Sequence, residues 1–214
     1  MAWVAATAIA AAPLFAGAAP FVADPSSGTI VIHAAKKGLL SSFAHDHRLV
    51  AVRWRTEIAY DDTEGSGTLE VLVVVDAGSL HETSPRLGES SRATVDREVA
   101  SAEVLDARSY PEIRVHATGV LAPPRSGEAR EGELRADLTL HGTTRPVVVP
   151  FRVESSGDGY RAKGSASFLQ TQFGMKPYST AMGTIGVDDE IRIEFDLSLR
   201  PAVRPPGGAA APVH

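Results

Sequence analysis

Cysteine is absent from all 214 residues. That excludes a disulfide framework, a thiolate zinc site, an iron–sulfur cluster and a cysteine nucleophile. Any metal or nucleophilic chemistry must come from His, Asp, Glu, Ser, Thr, Tyr or Lys. Positive charge is not in excess either: 21 Lys+Arg stand against 26 Asp+Glu, a formal net charge of -5, which offers no electrostatic footprint for gripping DNA or RNA. A Gly-x-Ser-x-Gly elbow and a Gly-rich phosphate loop are both missing, and Ser, His and Asp are too scattered to define a triad. The absences point away from an enzyme, from a nucleic-acid partner and from a bound cofactor.

The two ends differ from the middle. From Ala2 to Ala19 the chain is apolar, Ala-rich and uncharged, and it runs into Ala16-Gly17-Ala18, a small-x-small pattern that signal peptidase recognises. Pro13 interrupts the stretch, Ala contributes little transfer energy and no cationic stop-transfer cluster follows, so a cleaved signal over residues 1–19 is expected rather than an anchor. No Lys or Arg precedes the apolar run. The expected location is periplasmic or secreted. Residues 201–214 form a Pro/Gly/Ala tail with too little apolar bulk to order itself. Between them, residues 20–200 make one domain of ordinary size.

That middle reads as strands, because β-branched runs are separated by Gly, Pro, Asp and Ser at hairpin spacing. The candidates are Thr29 to Ala35, Arg48 to Tyr60, Gly67 to Val75, Ile113 to Leu121, Glu133 to Leu140, Val147 to Ser155, Gly159 to Phe168 and Glu190 to Leu199. The last alternates cleanly from Ile191 to Leu199, one face apolar and one polar. The Asp158-Gly159 step supplies a tight hairpin turn. One helix breaks the pattern, predicted over Val95 to Leu105 with Thr94 as its cap and Asp96 near its positive end. Eight strands suit a closed barrel or a sandwich. With aromatics at 6% of the chain and strands written in Val, Leu, Ile and Ala, the composition allows an internal cavity, and a solid sandwich core stays open beside it.

Three phrases resemble the YceI-like family of secreted lipid-binding barrels. They are Val104-Leu105-Asp106-Ala107-Arg108-Ser109-Tyr110-Pro111-Glu112-Ile113, Leu138-Thr139-Leu140-His141-Gly142-Thr143-Thr144-Arg145-Pro146-Val147, and Phe173-Gly174-Met175 followed by Val187-Asp188-Asp189-Glu190-Ile191. With the Asp76-Ala77-Gly78-Ser79-Leu80 turn, the likeness spans about Asp24 to Leu199. The resemblance implies an all-β fold: an elongated antiparallel eight-stranded lipocalin-like barrel with one short inserted helix, holding a long polyisoprenoid or similar apolar lipid in the bacterial periplasm. Three positions depart from the family's pattern. Val95-Asp96 keeps only the acid of an Arg-Asp pair, Val104-Leu105 replaces a pair of Phe, and Gln170 stands where an Arg is common.

Candidate site residues follow from both lines of reading. His45-Asp46-His47 is the sharpest constellation, since strand alternation aims both imidazoles to one side and Asp46 to the other. Two His on one face make half a metal site, with His33, His81, His116 or His141 as possible further ligands. The competing readings place the pair in a turn or at a barrel mouth, touching a lipid head. His141 is either a hairpin residue or a polar group at one barrel end. Trp54, Phe168, Phe173, Met175 and Tyr178 are core plugs or ligand contacts, and Lys176-Pro177-Tyr178 suits a mouth. Leu72, Val74, Val115, Leu138 and Leu140, or their neighbours on the opposite face, are expected to line an apolar tunnel, with the register open to a one-residue slip. The leading expectation is a noncatalytic lipid carrier. The alternatives are a metal-binding protein using His45 and His47, and an adhesion module with a filled core.

Overall fold

Period-two alternation with an apolar inner face dominates the chain, and the result is a β-barrel. A computed structural model describes residues 19–37, 46–61, 67–121, 124–180 and 185–202. The Ala-rich leader, His45 and the tail from 203 onward lie outside the described residues. In chain order the strands are β1 (Ala19–Val22), β2 (Gly28–Lys37), β3 (His47–Ala51), β4 (Trp54–Asp61), β5 (Thr68–Asp76) and β6 (Leu80–Glu82). Helix α1 (Glu89–Ala100) follows, then β7 (Glu112–Val120), β8 (Ala129–Leu140), β9 (Thr143–Ser156), β10 (Gly159–Leu169), β11 (Ser179–Thr180) and β12 (Ile185–Pro201).

The hydrogen-bonded order runs β4-β5-β7-β8-β9-β10-β12 and closes at both ends of the barrel. At one end β1 bridges the gap, with Phe21 paired to both Pro201 and Ile58. At the other end β2 does so, with His33 paired to both Arg192 and Arg48. Hence β1 and β2, β3 and β4, and β5 and β6 are each one strand broken by a kink, and the barrel has eight antiparallel staves. The hydrogen-bonded order ends at β6, which among the described residues pairs with β3 alone, and α1 packs beside that edge.

Side-chain hydrogen bonds hold the kinks. The Thr56 hydroxyl accepts from the Ala23 amide at 2.7 Å and donates to the Ala23 carbonyl at 3.2 Å, satisfying the backbone where β1 gives way to β2. The run expected as one strand from Arg48 to Tyr60 breaks at Val52–Arg53, beside the 3-10 turn Ala77–Ser79 that separates β5 from β6. Asp76 Oδ1 accepts from the Gly78 amide at 2.8 Å, and Ser79 Oγ accepts from the Arg53 amide at 3.0 Å. The two bends are therefore tied to each other.

The helix starts six residues before the expected Val95. Gly88 is its N-cap and Glu89 lies in the first turn, where a carboxylate favours the positive end. Thr94 is not the cap: its hydroxyl donates to the Ser90 carbonyl four residues back, at 3.0 Å, an interior helix contact. After Ala100 the chain leaves the helix, and Asp106 adopts a left-handed φ of 43°. Two hairpins differ in turn chemistry. His141 and Gly142 both have positive φ, 50° and 71°, as a type I′ turn requires. Between β9 and β10 the left-handed residue is Gly157, φ 58°, so the turn falls on Gly157-Asp158, one position before the expected Asp158-Gly159 step, and fits the type with Gly first.

Candidate ligand-binding cavity

The interior is hollow. Inward-facing positions are mostly apolar, and many are small: Ala117, Ala136, Ala162 and Ala166 stand where bulkier residues would fill an eight-stranded barrel. A first chamber of about 240 Å³ occupies the end closed by β1, and among the described residues Tyr60 and Tyr160 are its only lining side chains with a polar atom. A second, of about 150 Å³, lies under α1 and carries His47, Glu98, Gln170 and Tyr178 among otherwise apolar residues. Six side chains border both chambers: Ile32, Leu80, Ile113, Leu138, Phe168 and Ile193. They form a collar between the two.

The long strand β12 gives the scale. Ile191, Ile193, Phe195, Leu197 and Leu199 line the cavity in unbroken alternation. At about 3.3 Å per residue these cover roughly 26 Å of strand, or about 20 Å along the axis for a tilt near 40°. An apolar void of this kind stays dry and receives hydrocarbon, and each buried CH₂ group contributes about 0.8 kcal/mol.

On β5 the expected register is corrected by one residue. Val71, Val73 and Val75 line the first chamber, whereas Leu72 and Val74 occupy the alternate, outer positions. Val74 is nonetheless only 3% exposed. Its cross-strand partners on that outer face are Arg55 and Arg114, whose long stems shield apolar surface. Val115, Leu138 and Leu140 fall where expected, Leu140 in the second chamber.

Of the aromatic candidates, Phe168 borders both chambers. Phe173 is fully buried but lines neither; it packs edge-on against Phe168 with ring centroids 5.2 Å apart, supporting the collar from behind. Met175 and Tyr178 line the second chamber, Tyr178 at its exposed rim. Trp54 is buried in the core cluster rather than against the cavity. His141 is corrected to a hairpin residue: its ring packs on Tyr110 at 4.8 Å and borders neither chamber.

At the helix end sits a group that sequence reading missed. Glu82 is 0% exposed, and alternation from Leu80 turns it inward on β6. Its Oε2 receives His47 Nδ1 at 2.7 Å, and its Oε1 receives the Ser84 amide at 2.7 Å and the Arg48 amide at 3.3 Å. Burial pushes the Glu82 carboxyl up, but the hydrogen bonds, led by the Ser84 amide and including His47 and the Arg48 amide, outweigh it and hold the group below the ordinary carboxylate range. The Glu82 amide in turn donates to Asp96 Oδ1 at 2.7 Å, and His81 Nδ1 meets Asp96 Oδ2 at 2.8 Å. Asp96 thus fastens α1 to the barrel instead of serving the helix's own N-terminus. Val95, Glu98 and Val99 share the helix face over the second chamber.

The described histidines do not converge. His33 pairs with Glu194, His47 with Glu82, His81 with Asp96 and His116 with Glu70. Among the described residues no three His, Asp or Glu side chains stand close enough to hold a metal ion. Asp46 faces away from His47, its carboxylate taking the Lys36 amide at 3.1 Å. The Gly174 turn, φ 74°, follows a 3-10 turn that Asp189 holds through the Thr171 amide and hydroxyl, while Gln170 Nε2 donates to the Asp188 carbonyl at 2.7 Å. The Phe-Gly-Met and Val-Asp-Asp-Glu-Ile phrases meet here as a latch at the mouth.

A YceI-like domain model matches residues 21–199. The chain belongs to the YceI-like family. A UPF0312 protein of Pseudomonas savastanoi pv. phaseolicola is 30% identical over 105 residues, covering 46% of this chain and 53% of its own. One of Vibrio campbellii is 29% identical over 136 residues, 62% of this chain and 66% of its own. The alignment spans about half the length of the Pseudomonas relatives. Among solved structures, a domain from Saccharophagus degradans described as polyisoprenoid binding superposes with a TM-score of 0.62 at 14% identity, over 85% of this chain and 98% of that one. Burkholderia cenocepacia BcnA does so with 0.58 at 16% identity, over 83% and 98%. At such identities the likeness establishes the shared barrel fold alone.

Proposed function

We propose that this YceI-like protein carries one long apolar lipid, of polyisoprenoid type, lengthwise inside its barrel and performs no chemistry on it. The observation that supports this reading most is the pair of adjoining apolar chambers, the inner of which presents only two tyrosines as polar-bearing side chains. The Saccharophagus domain's description as polyisoprenoid binding agrees in ligand class. A carrier fits better than a catalyst because, among the described residues, the polar side chains lining the cavity are few, namely His47, Glu98, Gln170 and the tyrosines, and His47 is already engaged by Glu82 rather than by a nucleophile. The small-residue leader supports delivery to the periplasm.

Native mass spectrometry after mild purification tests the reading. A single co-purifying long-chain lipid is expected at one per chain. A bare chain that also fails to take up a long-chain polyprenol after delipidation contradicts it. N-terminal sequencing of protein recovered from the periplasm tests the export proposal, with a mature start near Ala19 expected.

A further inference from the structure

We infer that the chamber under α1 selects a lipid whose polar end is a hydrogen-bond donor, an alcohol or phenol hydroxyl, and that His47 Nε2 is the atom that receives it. The inference rests on the carrier reading and adds the class of head group and its orientation. Three observations lead to it. The two chambers differ in polarity, so an amphiphile threaded through the collar places its polar end under the helix. His47 lines that chamber, and its Nδ1 is engaged by Glu82 at 2.7 Å. An ionised carboxylate only accepts, so the proton of that contact sits on Nδ1, and of the two imidazole tautomers it is the one with its lone pair at Nε2 that this contact selects. Glu82 is fully buried and holds two backbone N–H donors besides, which fixes both the ring's orientation and its tautomer.

The remaining polar groups of the chamber add further acceptors, Tyr178 at the exposed rim carrying a hydroxyl that can also donate. Gln170 has one of its two amide N–H groups committed to the Asp188 carbonyl and brings an acceptor oxygen. Glu98 contributes a carboxylate from α1. Among the described residues the lining includes no Lys or Arg. The nearest cations of β2 lie beyond Ala34, and Lys37 is paired with Asp188 at 3.2 Å. Acceptors with no lining cation favour a donor head and disfavour a phosphate, whose charge would face Glu98 and find no bidentate partner.

The test uses delipidated protein and four probes of equal chain length: a long-chain polyprenol, its methyl ether, its monophosphate and a plain hydrocarbon. The alcohol is expected to bind about tenfold more tightly than the ether, because the ether leaves the acceptor unpaired. His47→Leu should erase that preference, bringing the ratio of alcohol to ether affinity to about one. In the unmutated protein, ¹⁵N spectra should show the Nε2 resonance of His47 moving with the alcohol and not with the ether, a readout that needs no variant to fold. Equal affinity for alcohol and ether, a preference that survives His47→Leu, or tightest binding of the monophosphate would each overturn the inference while leaving the carrier reading intact. Failure of all four probes, the hydrocarbon included, would instead bring down the carrier reading and this inference with it.

Discussion

The two ends of the barrel are built from the same strands but by different rules. At the end closed by β1, inward positions are hydrocarbon and ring, from Phe21 through Val149 and Phe151 to Leu199; burial there needs no partner, and shape alone decides what fits. At the end capped by α1, apolar packing is interleaved with a polar network in which Glu82, Asp96 and His47 each depend on a specific donor or acceptor. A dry chamber tolerates substitution as long as volume is conserved. A buried carboxylate does not, because each lost hydrogen bond strands a charge or a donor. On the proposed carrier reading, that difference gives one end the work of holding a chain and the other the work of recognising its terminus.

The largest expected effect comes from removing the centre of the polar end. Glu82→Ala leaves His47 Nδ1 and the Ser84 and Arg48 amides without their acceptor, and should cost about 3–5 kcal/mol of stability in denaturant unfolding. Because the Glu82 carboxyl is held below its ordinary value of 4.5, its stabilisation is complete above that pH and is lost as pH falls through the folded-state value. Glu82→Gln should therefore flatten the acid limb of the stability profile, and an unchanged limb would break the comparison. Next in size, Asp96→Ala removes the two contacts that fasten α1 through the Glu82 amide and His81. It should lower stability by about 2 kcal/mol and raise amide exchange in α1 without altering the first chamber. At the dry end, Ala166→Trp pushes a ring into the first chamber. It should weaken long-chain lipid binding tenfold or more, about 1.4 kcal/mol, while denaturant unfolding changes far less than in Glu82→Ala. Comparable loss of stability in the two variants would show that the ends are not built differently.

Much of this was legible in the strand pattern. β12 from Ile191 to Leu199 alternates without exception, and its inner face is the one that lines the cavity. β5 was not legible in the same way: Leu69 to Val75 is apolar at nearly every position, so periodicity could not choose a face, and the outer Val74 is buried beneath arginines that belong to neighbouring strands. The helix start was obscured because Thr94 has cap chemistry but uses it inside the helix. Glu82 could have been found from Leu80-His81-Glu82, where alternation sends the acid inward, yet only the kink after Asp76 brings it to His47. Fold-back of distant segments, Gln170 onto Asp188 and β6 onto β3, carries no local signal at all.

The central claim is that the two chambers act as one duct for one lipid with its polar end under α1. A crystal structure of the lipid-loaded protein tests it most directly. The account predicts a single chain of density passing the Leu138 and Phe168 collar, its tail among Phe151, Phe195 and Leu199 and its head against His47. Density confined to one chamber, or a head group at the β1 end, would contradict it.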